Sequence, residues 1–157
     1  ESEEAALATS GALIDGEHRA EGAQALTMLA NHLQRVKILV PAEPLTKLQT
    51  IVGRDAQDPL RPRALRQLGF VFFEAGSYDA AIDALRLFLK DYPKDEACAA
   101  VQRSIGRTYE LGLGRYADAL KEYEQVLVSY PDYAMMDDVR RDVERARANS
   151  GETRYAP

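Results

Sequence analysis

Cysteine is almost missing from this chain: Cys98 stands alone, so no intramolecular disulfide can form and no thiolate cluster can hold a metal. Its neighbours Ala97, Ala99 and Ala100 point to a small buried residue rather than a reactive thiol. Histidine is nearly as scarce. His18 and His32 are 14 residues apart, with no HExxH motif and no clustered carboxylate partner, so they offer neither a zinc site nor a catalytic base. Tryptophan is absent, which removes one common interface anchor. No stretch approaches the ~20 apolar residues that a membrane span requires, the longest candidate being the mixed segment from Val36 to Val40. Positive charge is also in deficit. Twenty Lys and Arg against 25 Asp and Glu leave a formal net charge of −5, which argues against a binder of nucleic-acid phosphates.

What is present favours one ordinary helical domain. At 157 residues with 46% apolar content the chain can bury a core, and its leaning towards Ala, Leu, Arg, Glu and Asp favours helix over strand. An all-α fold is expected. The first residue is Glu1 rather than Met, so a signal peptide or a lipid anchor upstream stays open.

Two segments of the chain repeat each other. Leu68-Gly69 answers Ile105-Gly106, Phe72 answers Tyr109, and Gly76 answers Gly114. Further on, Tyr78 answers Tyr116, Ala81-Ile82 answers Ala119-Leu120, and Tyr92-Pro93 answers Tyr130-Pro131. Gly106 follows Gly69 by 37 positions, whereas Tyr116 follows Tyr78 by 38, so one residue is added near the glycine-rich turn Gly112–Gly114. Apolar residues at three-and-four spacing predict a helix from Pro62 that ends at Gly76, then one over Tyr78–Lys90 with Ser77 as N-cap. The second copy predicts helices over Glu96–Leu111 and Tyr116–Ser129. Gly69 and Gly106 are expected to let paired helices approach closely.

This pattern of Leu-Gly, aromatic, Gly-x-Tyr, Ala-Ile and Pro resembles the tetratricopeptide repeat family, whose helix-turn-helix unit runs to about 34 residues. The resemblance implies an α-solenoid of antiparallel helix pairs, with repeats at 62–95 and 99–133. The loop following Tyr92-Pro93 is longer than usual, which resembles the subgroup found in bacterial envelope proteins such as the BamD lipoprotein and the Tol-Pal coordinating protein CpoB. Carrying the repeat offset past Pro131 puts Val143-Glu144 where Leu-Gly should be and Arg147 where the aromatic should be. Residues 134–149 are therefore expected as a polar C-terminal cap helix starting near Met135, followed by a tail at 150–157.

Ahead of the repeats, residues 1–16 predict a weakly ordered segment. Residues 17–53 predict a helical hairpin, one helix over Glu17–Leu39 and a short second one with Pro44 in its first turn and Gly53 at its end. The hairpin reads equally as a degenerate repeat or as an unrelated cap, because Leu48 and Ile51 fit inward positions while Arg54 and Asp55 stand where apolar residues should. Residues 54–61 read as a loop.

No arrangement of residues points to catalysis, a cofactor or a metal. Ser10, Ser104 and Ser129 lack a nucleophile elbow, and Gly112-Leu113-Gly114-Arg115 lacks the strand and the Lys-Ser/Thr of a phosphate loop. Asp137, Asp138 and Asp142 stand among Arg140, Arg141, Arg145 and Arg147, which reads as a solvated face of intrahelical ion pairs.

The resemblance implies that the first helix of each repeat lines a concave groove. On that basis Arg63, Arg66, Phe70 and Phe73 from the first repeat, with Arg103, Arg107 and Glu110 from the second, are the expected contact residues for a protein partner. Either an external peptide with apolar anchors and carboxylates occupies this surface, or the hairpin of residues 17–53 does. The function expected is a non-enzymatic protein–protein interaction scaffold, an adaptor or accessory subunit of a bacterial cell-envelope assembly. A cytoplasmic peptide-binding adaptor and a regulatory subunit of an enzyme complex are the alternatives.

Overall fold

A computed structural model describes residues 42–151; the expected segment 1–16, the expected hairpin 17–53 as far as residue 41 and most of the tail lie outside the described residues. All regular structure among the described residues is helical: α1 (Ala42–Val52), α2 (Arg61–Glu74), α3 (Tyr78–Asp91), α4 (Cys98–Arg107), α5 (Tyr116–Ser129) and α6 (Met136–Ser150). A π-helical turn, Thr108–Gly112, continues α4. The helices divide after Asp91 into two compact units.

In the first unit α1 packs on α2 and α2 on α3. Pro44 lies in the first turn of α1, where its missing N–H is harmless. Ala64, Leu65, Leu68, Gly69 and Phe72 form the buried face of α2, which packs on α3 with its buried Ala81, Leu85 and Phe88. Helix α2 starts at Arg61, one residue before the proline expected to open it, and Arg61 is buried rather than part of a polar loop. Its guanidinium donates from Nε to the Val52 carbonyl at 2.8 Å and from Nη1 to Asp91 Oδ2 at 2.7 Å. One side chain thus satisfies the open end of α1 and pins it to the end of α3.

Gly76 closes α2 with φ at +74°. The Gly76 N–H donates to the Phe73 carbonyl and the Ser77 N–H to the Phe72 carbonyl, the paired bonds of a Schellman turn. Helix α3 follows at once, its first bond running from the Ala81 N–H to the Ser77 carbonyl.

The second unit repeats this plan with α4 and α5 and adds α6 against α5. Helix α4 begins at Cys98, two residues later than expected, because Asp95 holds the chain in a turn. The Asp95 side chain accepts from the Ala97 N–H at 2.8 Å, and its carbonyl accepts from the Cys98 N–H. Cys98 is buried, donates to the Tyr92 carbonyl at 3.0 Å, and has its thiol pKa pushed up by burial. The extra residue of this repeat is taken up at Thr108–Gly112, where the Leu113 N–H reaches the Thr108 carbonyl five residues back. Gly114 then takes the positive φ of Gly76, and the Arg115 N–H donates to the Tyr109 carbonyl at 2.8 Å. That is the Ser77–Phe72 bond again, with a ring one residue larger.

Both repeat glycines sit at close approaches. A Cβ on Gly69 would stand 2.6 Å from Leu85 Cδ2, and one on Gly106 would stand 2.5 Å from Tyr123 Cε1. Helix α6 seats Val139, Val143 and Ala146 against Ala119, Leu120, Tyr123 and Val126 and ends at Gly151 in the left-handed region.

Candidate functional site

Helix α2 carries the clearest unpartnered surface among the described residues. Arg63, Arg66 and Phe70 recur at three-and-four spacing along α2, on the side away from the core residues Leu65, Leu68 and Phe72, and all three are exposed. Phe70 stands out. At 66% exposed it is one of the largest apolar groups left in water among the described residues. Phe73, one turn on, is half-buried and meets the Tyr78 ring edge-on at 5.5 Å between centroids. The guanidinium of Arg66 lies 5.8 Å from the centre of the buried Phe88 ring, so its stem covers apolar surface while its head stays wet. Arg63 makes no ion pair among the described residues.

In the second unit the corresponding residues are used differently. Arg107 is exposed, as expected. Arg103, however, turns towards α6: its Nε donates to Asp142 Oδ2 at 2.7 Å and its Nη1 lies 3.8 Å from Asp138. Glu110 departs further from the expectation. It is 5% exposed, and Tyr123 Oη donates to its Oε2 at 2.7 Å. Arg145 clamps the same carboxylate from α6, with Nε on Oε1 at 2.6 Å and Nη2 on Oε2 at 2.8 Å. Glu110 is therefore an internal anchor for α6 and not part of an accessible surface.

The reason is position along the helix. Glu110 stands four residues, about one turn, beyond Gly106, and so shares the face that meets Tyr123 rather than the side that carries Arg107. Asp142 corrects a second expectation. It is buried, and besides Arg145 at 2.8 Å it engages Arg103, so this part of α6 is not a solvated face. The other intrahelical pairs, Asp137 with Arg140 and Asp138 with Arg141, form as the spacing predicts.

These contacts set the charge states. The Arg145 hydrogen bond holds the Glu110 carboxyl below its ordinary pKa, winning against burial, with help from the Tyr123 hydroxyl. Burial, and then the Glu110 carboxylate, push the Tyr123 phenol far up, so it stays a donor. A perturbed, buried carboxylate of this kind can mark chemistry, but here both oxygens are occupied by arginine and tyrosine. No group of three or more His, Cys, Asp or Glu suited to a metal occurs among the described residues. No helix among them is long and apolar enough to cross a membrane.

A family model for the tetratricopeptide repeat matches the chain at residues 63–95 and 104–133, and two such repeats are present there. The match is to the repeat itself and does not support the bacterial envelope subgroup. No curated protein and no solved structure matched the chain.

Proposed function

We propose that this chain is a non-enzymatic protein–protein interaction scaffold whose first repeat takes hold of a partner segment through Arg63, Arg66, Phe70 and Phe73. The exposed Phe70 ring beside two arginines carries the reading. An aromatic side chain left in water has much to gain from a partner's apolar residue, and guanidinium groups beside it select a segment that also bears carboxylates. The repeats support a scaffold on their own account, since helix-pair repeats recur in proteins that work by contact. In the second unit Arg103 and Glu110 are taken by α6 and play no part in this reading.

Affinity capture followed by quantitative mass spectrometry tests it. Proteins held through this surface are lost from Phe70→Ala and from Arg66→Glu, while the melting temperature stays where it was. A captured set indifferent to both changes overturns the reading. A bacterial cell-envelope assembly is the setting we propose, on the long loop that follows Tyr92-Pro93. Fractionation of the native protein that shows it only in the cytoplasm would replace that setting with a cytoplasmic adaptor.

A further inference from the structure

Resting on that reading, we infer that the same surface of α2 is also the docking site for the chain's own acidic segment 1–17, which competes with external partners. The observations lie in charge and in reach. Helix α2 carries Arg61, Arg63 and Arg66 in its first half and no acidic residue in its first turn, in a chain whose net charge is −5. Arg61 is consumed by Asp91 and Val52, but Arg63 and Arg66 stay exposed, and they stand at the helix end whose dipole is positive. A carboxylate-rich ligand is what this end of α2 attracts.

The chain holds one such ligand. Residues 1–17 contain Glu1, Glu3, Glu4, Asp15 and Glu17, and the first basic side chain other than histidine is Arg19. Between the acids stand Leu7, Leu13 and Ile14, apolar groups of the size that would cover Phe70. The pattern of the segment, carboxylates beside apolar anchors, is the one the surface selects. Reach is no obstacle. Helix α1 packs on α2, and the residues between position 17 and α1 would span roughly 35 Å even as a continuous helix at about 1.5 Å each, more than the roughly 21 Å length of α2. Tethering also raises the local concentration of the segment to the millimolar range, so weak contacts suffice to shield the surface until a better partner displaces it.

Photo-cross-linking in the full chain tests the inference. A benzoylphenylalanine replaces Phe70, the chain is irradiated, and tryptic peptides are identified. The expected product joins α2 to the peptide that ends at Arg19, within one chain when isotope-labelled and unlabelled protein are mixed. Its yield should fall several-fold in Arg63→Glu/Arg66→Glu and fall again as salt is raised, because exposed charges are screened. Cross-links confined to residues 20–41, or to a second copy, overturn the inference, and so does a yield indifferent to charge reversal and salt. The two readings fail separately. A probe that joins other proteins in extract but never the N-terminal peptide removes self-docking and leaves the scaffold, whereas one that joins only the N-terminal peptide keeps self-docking and removes the external partner.

Discussion

The two repeats share a plan and fill it with different materials. In the first, Gly69 receives Leu85, Leu65 and Ala84 are both buried, and Phe73 rests half-covered beside Tyr78. In the second, Gly106 receives Tyr123, Gln102 donates to Glu122 where the first repeat has Leu65 and Ala84, and Glu110 takes the position of Phe73. One helix pair is held by packing and an ion pair at its end, Arg61 with Asp91, the other by packing plus a polar network that reaches into α6. The difference teaches that a repeat can keep its backbone while changing what its inner positions are for. The first leaves Arg63, Arg66 and Phe70 exposed on α2; the second spends Arg103 and Glu110 on its own cap helix and leaves Arg107 exposed.

The sharpest way to break the comparison is to remove the network at its centre. Glu110→Ala leaves the Tyr123 hydroxyl buried without an acceptor and Arg145 without its main partner. We expect a loss of about 2 to 4 kcal/mol, the half-exposed Arg145 keeping it below the full cost of splitting a buried pair. Urea unfolding measures it, and a loss below 1 kcal/mol would mean the network is ornamental.

The glycines come next. Alanine at Gly106 drives a methyl into the Tyr123 ring, whose hydroxyl is tethered to Glu110, and should cost about 1 to 3 kcal/mol. Alanine at Gly69 would put its Cβ 2.7 Å from the Cγ of the buried Leu85, so the whole leucine must shift. That side chain is not tethered and the helix gains about 1 kcal/mol of propensity, so the net cost should be smaller than at Gly106, up to about 1 kcal/mol. Equal costs at the two positions would erase the distinction between flexible and tethered neighbours.

Titration separates the repeats more gently. Glu110 has a folded pKa below its unfolded value, so its contribution is complete above the ordinary carboxylate range and is lost as pH falls through the lowered folded value. Tyr123 has a raised pKa, so its contribution is complete below the ordinary phenol range and fades as the unfolded chain begins to ionise at alkaline pH. Melting curves of the wild type and Glu110→Gln against pH should therefore differ most in their acid limbs, and parallel limbs would sink the assignment. The smallest effect belongs to the surface. Phe70→Ala should change stability by no more than about 0.5 kcal/mol, because little of the ring is buried.

Much of this architecture is legible in the sequence, and the rest fails for identifiable reasons. The period, the two packing glycines, the turn glycines Gly76 and Gly114 and the buried Cys98 can all be read off, since each depends on local spacing or size. Glu110 was misplaced because it lies at the edge between two sides of its helix, three residues from the exposed Arg107 and four from the buried Gly106, and its spacing from Gly106 was the signal that could have placed it. The mismatch between the 37- and 38-residue offsets marks the turn that widens at Thr108–Gly112. Asp142 and Arg61 were misread because each has a decisive partner far away in the chain, Arg103 and Asp91 respectively. At the candidate surface, exposure of Arg63, Arg66, Phe70 and Arg107 follows from helical phase alone.

The Gln102–Glu122 pair bears on how the chain finds its fold. Two hairpins this similar invite mispairing, with α2 closing on α5 during folding, the characteristic error of repetitive sequences. Such a partnership would set Glu122 against Leu65 and the Tyr123 hydroxyl against Phe73, stranding a carboxylate and a phenol among hydrocarbon. The correct partnership satisfies both. The polar substitutions in the second repeat thus act as a key that lets each helix recognise its own mate.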